Sequence, residues 1–307
     1  MKIAIDIGYG HTKVKTDHKE FKFPTAVAVS KTQMVETDSI LFEGKKYLVG
    51  EDALRGAIMT RDYAFIYKYA PLLIYEAIRL AGLGDEEKLQ INAGLSLYDL
   101  EKKPEFDNGC LNRKEEFKKR ISSFVINDTQ YRHEIKLYAQ GQGSWSDFCE
   151  SYGYLERGYE VLVDIGYRTN DILVFKDGSP NKAESQADDK GINIIVAELR
   201  KILNKKYDIT LTEQEVSEIL KDGYVTIYGV EKDLSNVISE VVEAYLDELF
   251  SLLKAEFGSI LKSSKRVIIT GGGAYILYGY RDMFPQNVIF DEKQEFEYSN
   301  VRGYYNG

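Results

Sequence analysis

The stretch IAIDIGYG (residues 3–10) returns as VLVDIGYR (residues 161–168), with the letters D, I, G and Y in the same order both times. Each copy begins as an alternating β-branched strand, reaches an acid, Asp6 or Asp164, and breaks at a glycine turn. An extended pattern then resumes, from His11 to Lys15 in the first copy and on to Lys176 in the second, so both read as β-hairpins. Glycine at such a turn lets backbone N–H groups approach an anion with no Cβ in the way, which makes a phosphate cradle. A carboxylate beside that cradle repels phosphate unless a cation lies between them, and Mg²⁺ keeping its own waters suits the role. A single such turn is weak evidence. Two copies imply two related halves, each presenting a hairpin, with phosphates clamped in the cleft between them.

Three further features fit a phosphate site. Lys13 follows Asp6 by seven residues on the return strand, from where an ammonium can reach over the turn and neutralise phosphate charge. TGGGAY (270–275) follows the short apolar strand RVIIT and reads as a strand-to-helix turn whose backbone can lie flat against a nucleoside. Gln140 follows the strand EIKLYA; its amide can orient a water but is too weak a base to take the proton. The glycine cluster does not match GxGxxG, because Ile276 holds the last glycine's place, and no GxxxxGK[ST] is present. Dinucleotide-binding Rossmann and P-loop chemistry are therefore disfavoured.

At 307 residues with 44% hydrophobic content, two domains are expected. Cys110 and Cys149 form no CxxC, and His11, His18 and His133 are scattered, so neither a disulfide framework nor a His-ligated metal is indicated. A net charge of -9 repels a nucleic-acid backbone, so no direct nucleic-acid contact is expected. No run of eighteen apolar residues or signal-type segment is visible, and a cytoplasmic protein with no membrane partner is expected.

Periodicity supplies the remaining elements. A hairpin spans 40–50 around Glu43-Gly44, a core-facing helix runs from Tyr67 to Leu80, and 89–95 is a buried strand. Residues 102–120 read as loop and surface helix, and 124–139 as strand. A short helix within 141–153 takes Ser144 or Ser146 as its cap. Helical spacing recurs over 191–207 and over 234–261, the latter read as a buried or half-buried helix. No low-complexity linker separates the halves.

In this order the elements resemble the actin, Hsp70 and sugar-kinase ATPase superfamily over nearly the whole chain. DIGYGHTK (6–13) looks like its first phosphate hairpin, DIGYRTND (164–171) its second, and TGGGAY its adenosine motif. FPTAVA (23–28), the Q-G-x-G segment at Gln140, DIGYRTND and EYSNVRGYY (297–305) resemble more closely the ParM/StbA plasmid-segregation actins and their archaeal and phage relatives. The resemblance implies an α/β, actin-like (ribonuclease H-like) duplicated ATPase fold: domain I over 1–158 with 281–307 packing back onto it, and domain II over 159–280. It implies Mg²⁺ held through water by Asp6 and Asp164, and ATP hydrolysed to ADP with GTP as the alternative nucleotide. Gly8, Tyr9, Gly10, His11, Thr12, Lys13, Gly166, Tyr167, Arg168, Thr169, Gly271, Gly272, Gly273 and Tyr275 would bind the nucleotide, with Gln140, Asp164 and Asp6 catalytic. The helix around Glu215–Lys221 is a candidate for ribose and base. Self-association into filaments is the implied partnership, with a DNA-binding adaptor for any plasmid cargo. Tyr9 replaces a small hydroxyl residue of eukaryotic actins, and Arg168 stands where many relatives have glycine. A nucleotide-binding scaffold that does not polymerise, or a small-molecule kinase, is the alternative.

Overall fold

The computed structural model describes residues 1–30, 38–58, 62–84, 88–97, 113–292 and 295–307. Two mixed β-sheets, each with helices against it, form two lobes built on one plan. In the first, the strands run in the order Glu134–Ala139, Gln90–Leu95, Lys2–Ile7, His11–Lys15, Glu20–Pro24. In the second, Asn170–Lys176, Tyr159–Ile165, Ser264–Thr270 and Val288–Phe290 lie side by side. Each quoted stretch is the leading strand of an antiparallel hairpin, and each leading strand also pairs in parallel with a later strand. Flanked on both sides, both leading strands are buried almost throughout, which their β-branched runs require.

The duplication extends to register. Asp6 stands opposite Lys13 and Asp164 opposite Asp171, so the two acids occupy the same rung of their hairpins. What faces them differs in charge, and the two copies therefore use that rung differently.

The helix expected from Tyr67 starts earlier, at Tyr63, because Asp62 caps it by accepting from the Phe65 N–H at 2.9 Å, and it ends at Ala81 before Gly82. Pro71 inside it removes one backbone donor and frees the Tyr67 carbonyl. Arg120 fills that vacancy, Nε donating to Tyr67 O at 3.3 Å and a terminal nitrogen to Lys68 O at 3.0 Å. Of residues 102–120, only those from 113 are described; they form the helix Arg113–Ser122, and Cys110 lies outside the described residues. Residues 123–139 divide into a small hairpin, Ser123–Ile126 with Thr129–Arg132, and the sheet strand Glu134–Ala139.

Neither Ser144 nor Ser146 caps a helix. The helix Gln142–Tyr152 starts directly after Gly141, and its first N–H groups find a tertiary acceptor in Asn300. The long helix Ser235–Ser263 covers the second sheet with Val242, Tyr245, Leu246, Leu249 and Leu253 and leaves its other face to solvent.

The boundary expected at 281 moves. Val288–Phe290 pairs in parallel with Val267–Ile269 and so belongs to the second sheet. Only beyond it does the chain return to the first lobe, where helix Ser299–Asn306 packs through Val301 and Tyr304 against Ala4. Arg302 clamps Glu20 with two nitrogens, and Lys22 reaches Glu297 at 2.7 Å. The return helix crosses Gln142–Tyr152 so closely that any Cβ on Gly303 would collide with the Gly143 carbonyl.

Candidate functional site: a cleft between twin acidic turns

The two glycine turns line one cavity of about 700 Å³ between the lobes. Asp6, Gly8, Tyr9, Gly10, His11 and Lys13 enter from one side, and Asp164, Gly166, Tyr167, Arg168 and Thr169 from the other. The turns touch: a Cβ on Gly10 would lie 3.4 Å from the Tyr167 side chain.

Local hydrogen bonding holds each turn. In the first, Thr25 donates its hydroxyl to Gly8 O at 2.6 Å and its N–H to Gly10 O at 3.0 Å. In the second, the carbonyls of Gly166, Tyr167 and Arg168 accept from the N–H groups of Ile192, Asn193 and Gly191. These donors open helix Asn193–Tyr207, whose first amides have no partner within the helix. The turn's carbonyls are thus turned onto the helix start.

Two buried carboxylates face this space, Asp6 at 1% exposure and Asp164 at 6%. Asp6 accepts from Gln140 Nε2 at 2.5 Å and pairs with Lys13 Nζ at 3.2 Å. Burial acts to lower the Lys13 pKa, but the charges of Asp6 and Asp164 outweigh it and raise the ammonium above its ordinary value. Opposite Asp164 on its hairpin stands another acid, Asp171, where Asp6 has Lys13. Burial, reinforced by the charge of Asp6, pushes its carboxyl up to about 6, against the hydrogen bond from Asn300 Nδ2 at 2.6 Å. One ammonium shared by two buried acids leaves negative charge to be balanced. The donor set suits a hard, hydrated divalent cation such as Mg²⁺ held outside direct contact, and no cluster of three or more metal-ligating side chains occurs among the described residues.

The glycine cluster closes the cavity behind Asp164. Gly271 has φ +85°, and a Cβ there would strike Asp164 Oδ1 and the Ile165 carbonyl, so only glycine fits. Gly272 and Tyr275 line the cavity. Gly273 does not: its N–H bonds to Ile165 O at 2.8 Å, and Ile165 and Ile192 pack over it. Thr12 is likewise turned away, because strand alternation sends Lys13 to the cavity face and Thr12 to the other. There its hydroxyl meets that of Thr25 at 2.9 Å. Both residues support the turns and do not reach the cavity.

Beyond the turns the cavity extends to helix Glu213–Asp222, which contributes Glu213, Gln214, Ser217, Leu220 and Lys221. Glu215, by contrast, is committed to a capping box with Thr212. Residues that the sequence did not single out hold the parts together. Asn300 joins Asp164 to the start of helix Gln142–Tyr152, and Asp171 accepts from Ser96 Oγ at 2.9 Å and Leu97 N at 2.7 Å across the lobe junction. Both stretches, EYSNVRGYY and DIGYRTND, stand out in the sequence, yet nothing in them marks these two side chains as interlobe ties.

Two duplicated α/β lobes with acidic glycine turns facing each other across a cleft define an actin-fold protein. Residues 4–143 match the family model for the N-terminal domain of actin-like proteins, and 162–279 match that for the C-terminal part of archaeal MreB-like actin homologues. Together the two matches span most of the chain, and its fold is that of the actin-like proteins. It is 23% identical to an archaeal actin homologue of Thermoplasma volcanium, over 98% of this chain and 97% of that one. An archaeal actin homologue solved in complex with ADP superposes with a TM-score of 0.79 at 20% identity, covering 99% of this chain and 98% of the other. A subunit of a 15-stranded ParM filament from Clostridium botulinum gives 0.77 at 21% identity, covering 99% and 97%. Among the described residues, no helix is long and apolar enough to cross a membrane.

Proposed function

We propose that this chain is an ATPase that polymerises with nucleotide bound, acting as a prokaryotic cytoskeletal filament or in DNA segregation through an adaptor. The observation that carries the reading is the convergence of Asp6, Lys13 and Asp164 on one cleft between duplicated glycine turns. The ADP bound by one structural relative and the filament formed by another agree with it.

In this reading the triphosphate lies between Gly8–Gly10 and Gly166–Arg168, and the nucleoside lies against Gly271 and Gly272 and helix Glu213–Asp222. Asp6 and Asp164 would hold Mg²⁺ through its waters; when bound, it neutralises phosphate charge. Lys13 binds phosphate oxygen. Gln140 orients the attacking water, and its amide, held on Asp6 here, must be brought into register with that water. Lobe rotation on assembly supplies such a change, so hydrolysis lags polymerisation.

Light scattering after adding Mg·ATP tests the reading. A cooperative, concentration-dependent rise, with filaments in electron micrographs, is expected. A flat trace at all concentrations, with no filaments, would refute polymerisation.

A further inference from the structure

The helices and sheets of the two lobes stack in a fixed order. Strand alternation sends Ile3 and Ile5 to one face of the first sheet, against Phe117 and Ile121 of helix Arg113–Ser122, and Ala4 to the other, against helix Ser299–Asn306. In the second sheet Leu162 and Ile268 meet Phe148 of helix Gln142–Tyr152, while Val161 and Val163 meet the long helix Ser235–Ser263. Helices Gln142–Tyr152 and Ser299–Asn306 cross each other in the middle. Helices Arg113–Ser122 and Ser235–Ser263 therefore form opposite outer faces of the chain.

Those two faces carry opposite charge. Helix Arg113–Ser122 has five basic residues against two acidic, and Lys114, Lys118 and Lys119 are exposed and make no ion pair among the described residues. Helix Ser235–Ser263 has five acidic residues against two basic, and Glu240, Glu243 and Asp247 follow one another at three and four residues along its solvent side. Like charges at that spacing destabilise the helix that carries them, so the acidic stripe does not serve helix stability. At a net charge of -9 the chain repels copies of itself, and a local lysine face reverses that repulsion. The spacings also match: Lys114 and Lys118 rise about 6 Å apart along their axis, as do Glu243 and Asp247.

We propose that the lysine face of one chain docks on the acidic stripe of a second copy, joining neighbouring filaments side by side. The inference rests on the polymerisation reading and adds to it the surface through which filaments bundle. Each partner uses a different patch, and the patches lie on opposite outer faces, so the contact stays open and repeats from filament to filament. Exposed ion pairs are individually weak, but subunits repeated along two filaments engage many at once.

Sedimentation of the full chain with Mg·ATP tests this, with bundles collected at low speed, all filaments at high speed, and both identified by electron microscopy. Wild-type bundles should form at about 0.05 M salt and disperse into single filaments at about 0.5 M, where exposed charges are screened. Reversing one face, Lys114→Glu with Lys118→Glu or Glu243→Lys with Asp247→Lys, should cut the low-speed pellet at least about 5-fold. An unchanged high-speed pellet then also shows that the variants fold. Carrying both reversals in one chain should restore bundles. Four results each overturn the contact while leaving polymerisation intact: reversed chains that bundle like wild type, equal loss of both pellets on reversal, a double reversal that restores nothing, or wild-type filaments that never bundle. If the wild-type chain forms no filaments at all, the polymerisation reading falls and this contact with it.

Discussion

Asn300, in the C-terminal helix, donates from Nδ2 to Oδ2 of Asp164 in the other lobe at 2.6 Å. Its Oδ1 accepts from the N–H groups of Gly141 and Ser144 at 2.9 and 3.2 Å. One amide thus ties the second acidic turn to the segment that carries Gln140. Asn300→Ala strands three buried polar groups, for a loss of about 2–4 kcal/mol. In a chain of this size the melting temperature should fall by roughly 3–6 °C. Scanning calorimetry that finds no fall would remove Asn300 from the junction.

Asp164 makes the nucleotide-free protein sensitive to pH. Its carboxyl moves from 3.8 up to about 6 on folding, because of burial and the charge of Asp6. The folded chain holds that proton more tightly than the unfolded chain, so stability from this group falls as pH rises from about 4 to about 6. Asp164→Asn removes the dependence. Melts in chelator should show the variant gaining on wild type across that window and staying ahead above it, while Mg²⁺-dependent turnover is lost. Parallel pH profiles for the two proteins contradict the assignment.

Lys13 neutralises charge for both acids, so Lys13→Ala leaves Asp6 and Asp164 buried without their shared ammonium. Affinity for Mg·ATP should drop roughly 10- to 100-fold. In the absence of nucleotide, millimolar Mg²⁺ should raise the melting temperature of the variant more than that of wild type. A variant indifferent to Mg²⁺ would argue against a cation site between the carboxylates.

Gly303→Ala probes how the C-terminal helix is seated. The new methyl group has nowhere to go but into the Gly143 carbonyl, so the two helices must separate. A loss of about 3 kcal/mol or more is expected by urea titration, since the same helix carries Asn300. An effect within about 0.5 kcal/mol would mean that the crossing is loose.

The twin turns, Lys13 and the glycine cluster were legible because their chemistry is local: a strand, an acid, a glycine and a cation seven residues on. Thr12 and Gly273 fall outside the cavity lining because a motif names consecutive residues, whereas a strand or turn sends alternate ones to opposite faces. Asn300 and Asp171 were not legible, since each acts on groups 136 and 74–75 residues away, respectively. A serine cap was the natural expectation for helix Gln142–Tyr152; a tertiary acceptor, Asn300, took that role instead. The strand Val288–Phe290 is too short to announce which sheet it joins, and it moved the lobe boundary.

The most direct measurement is a crystal structure of the chain grown with Mg²⁺ and a non-hydrolysable ATP analogue. One nucleotide per chain is predicted, its phosphates flanked by Gly8–Gly10 on one side and Gly166–Arg168 on the other, with metal-bound waters reaching Asp6 and Asp164. Density for nucleotide at only one turn, or outside the interlobe cavity, would contradict the account.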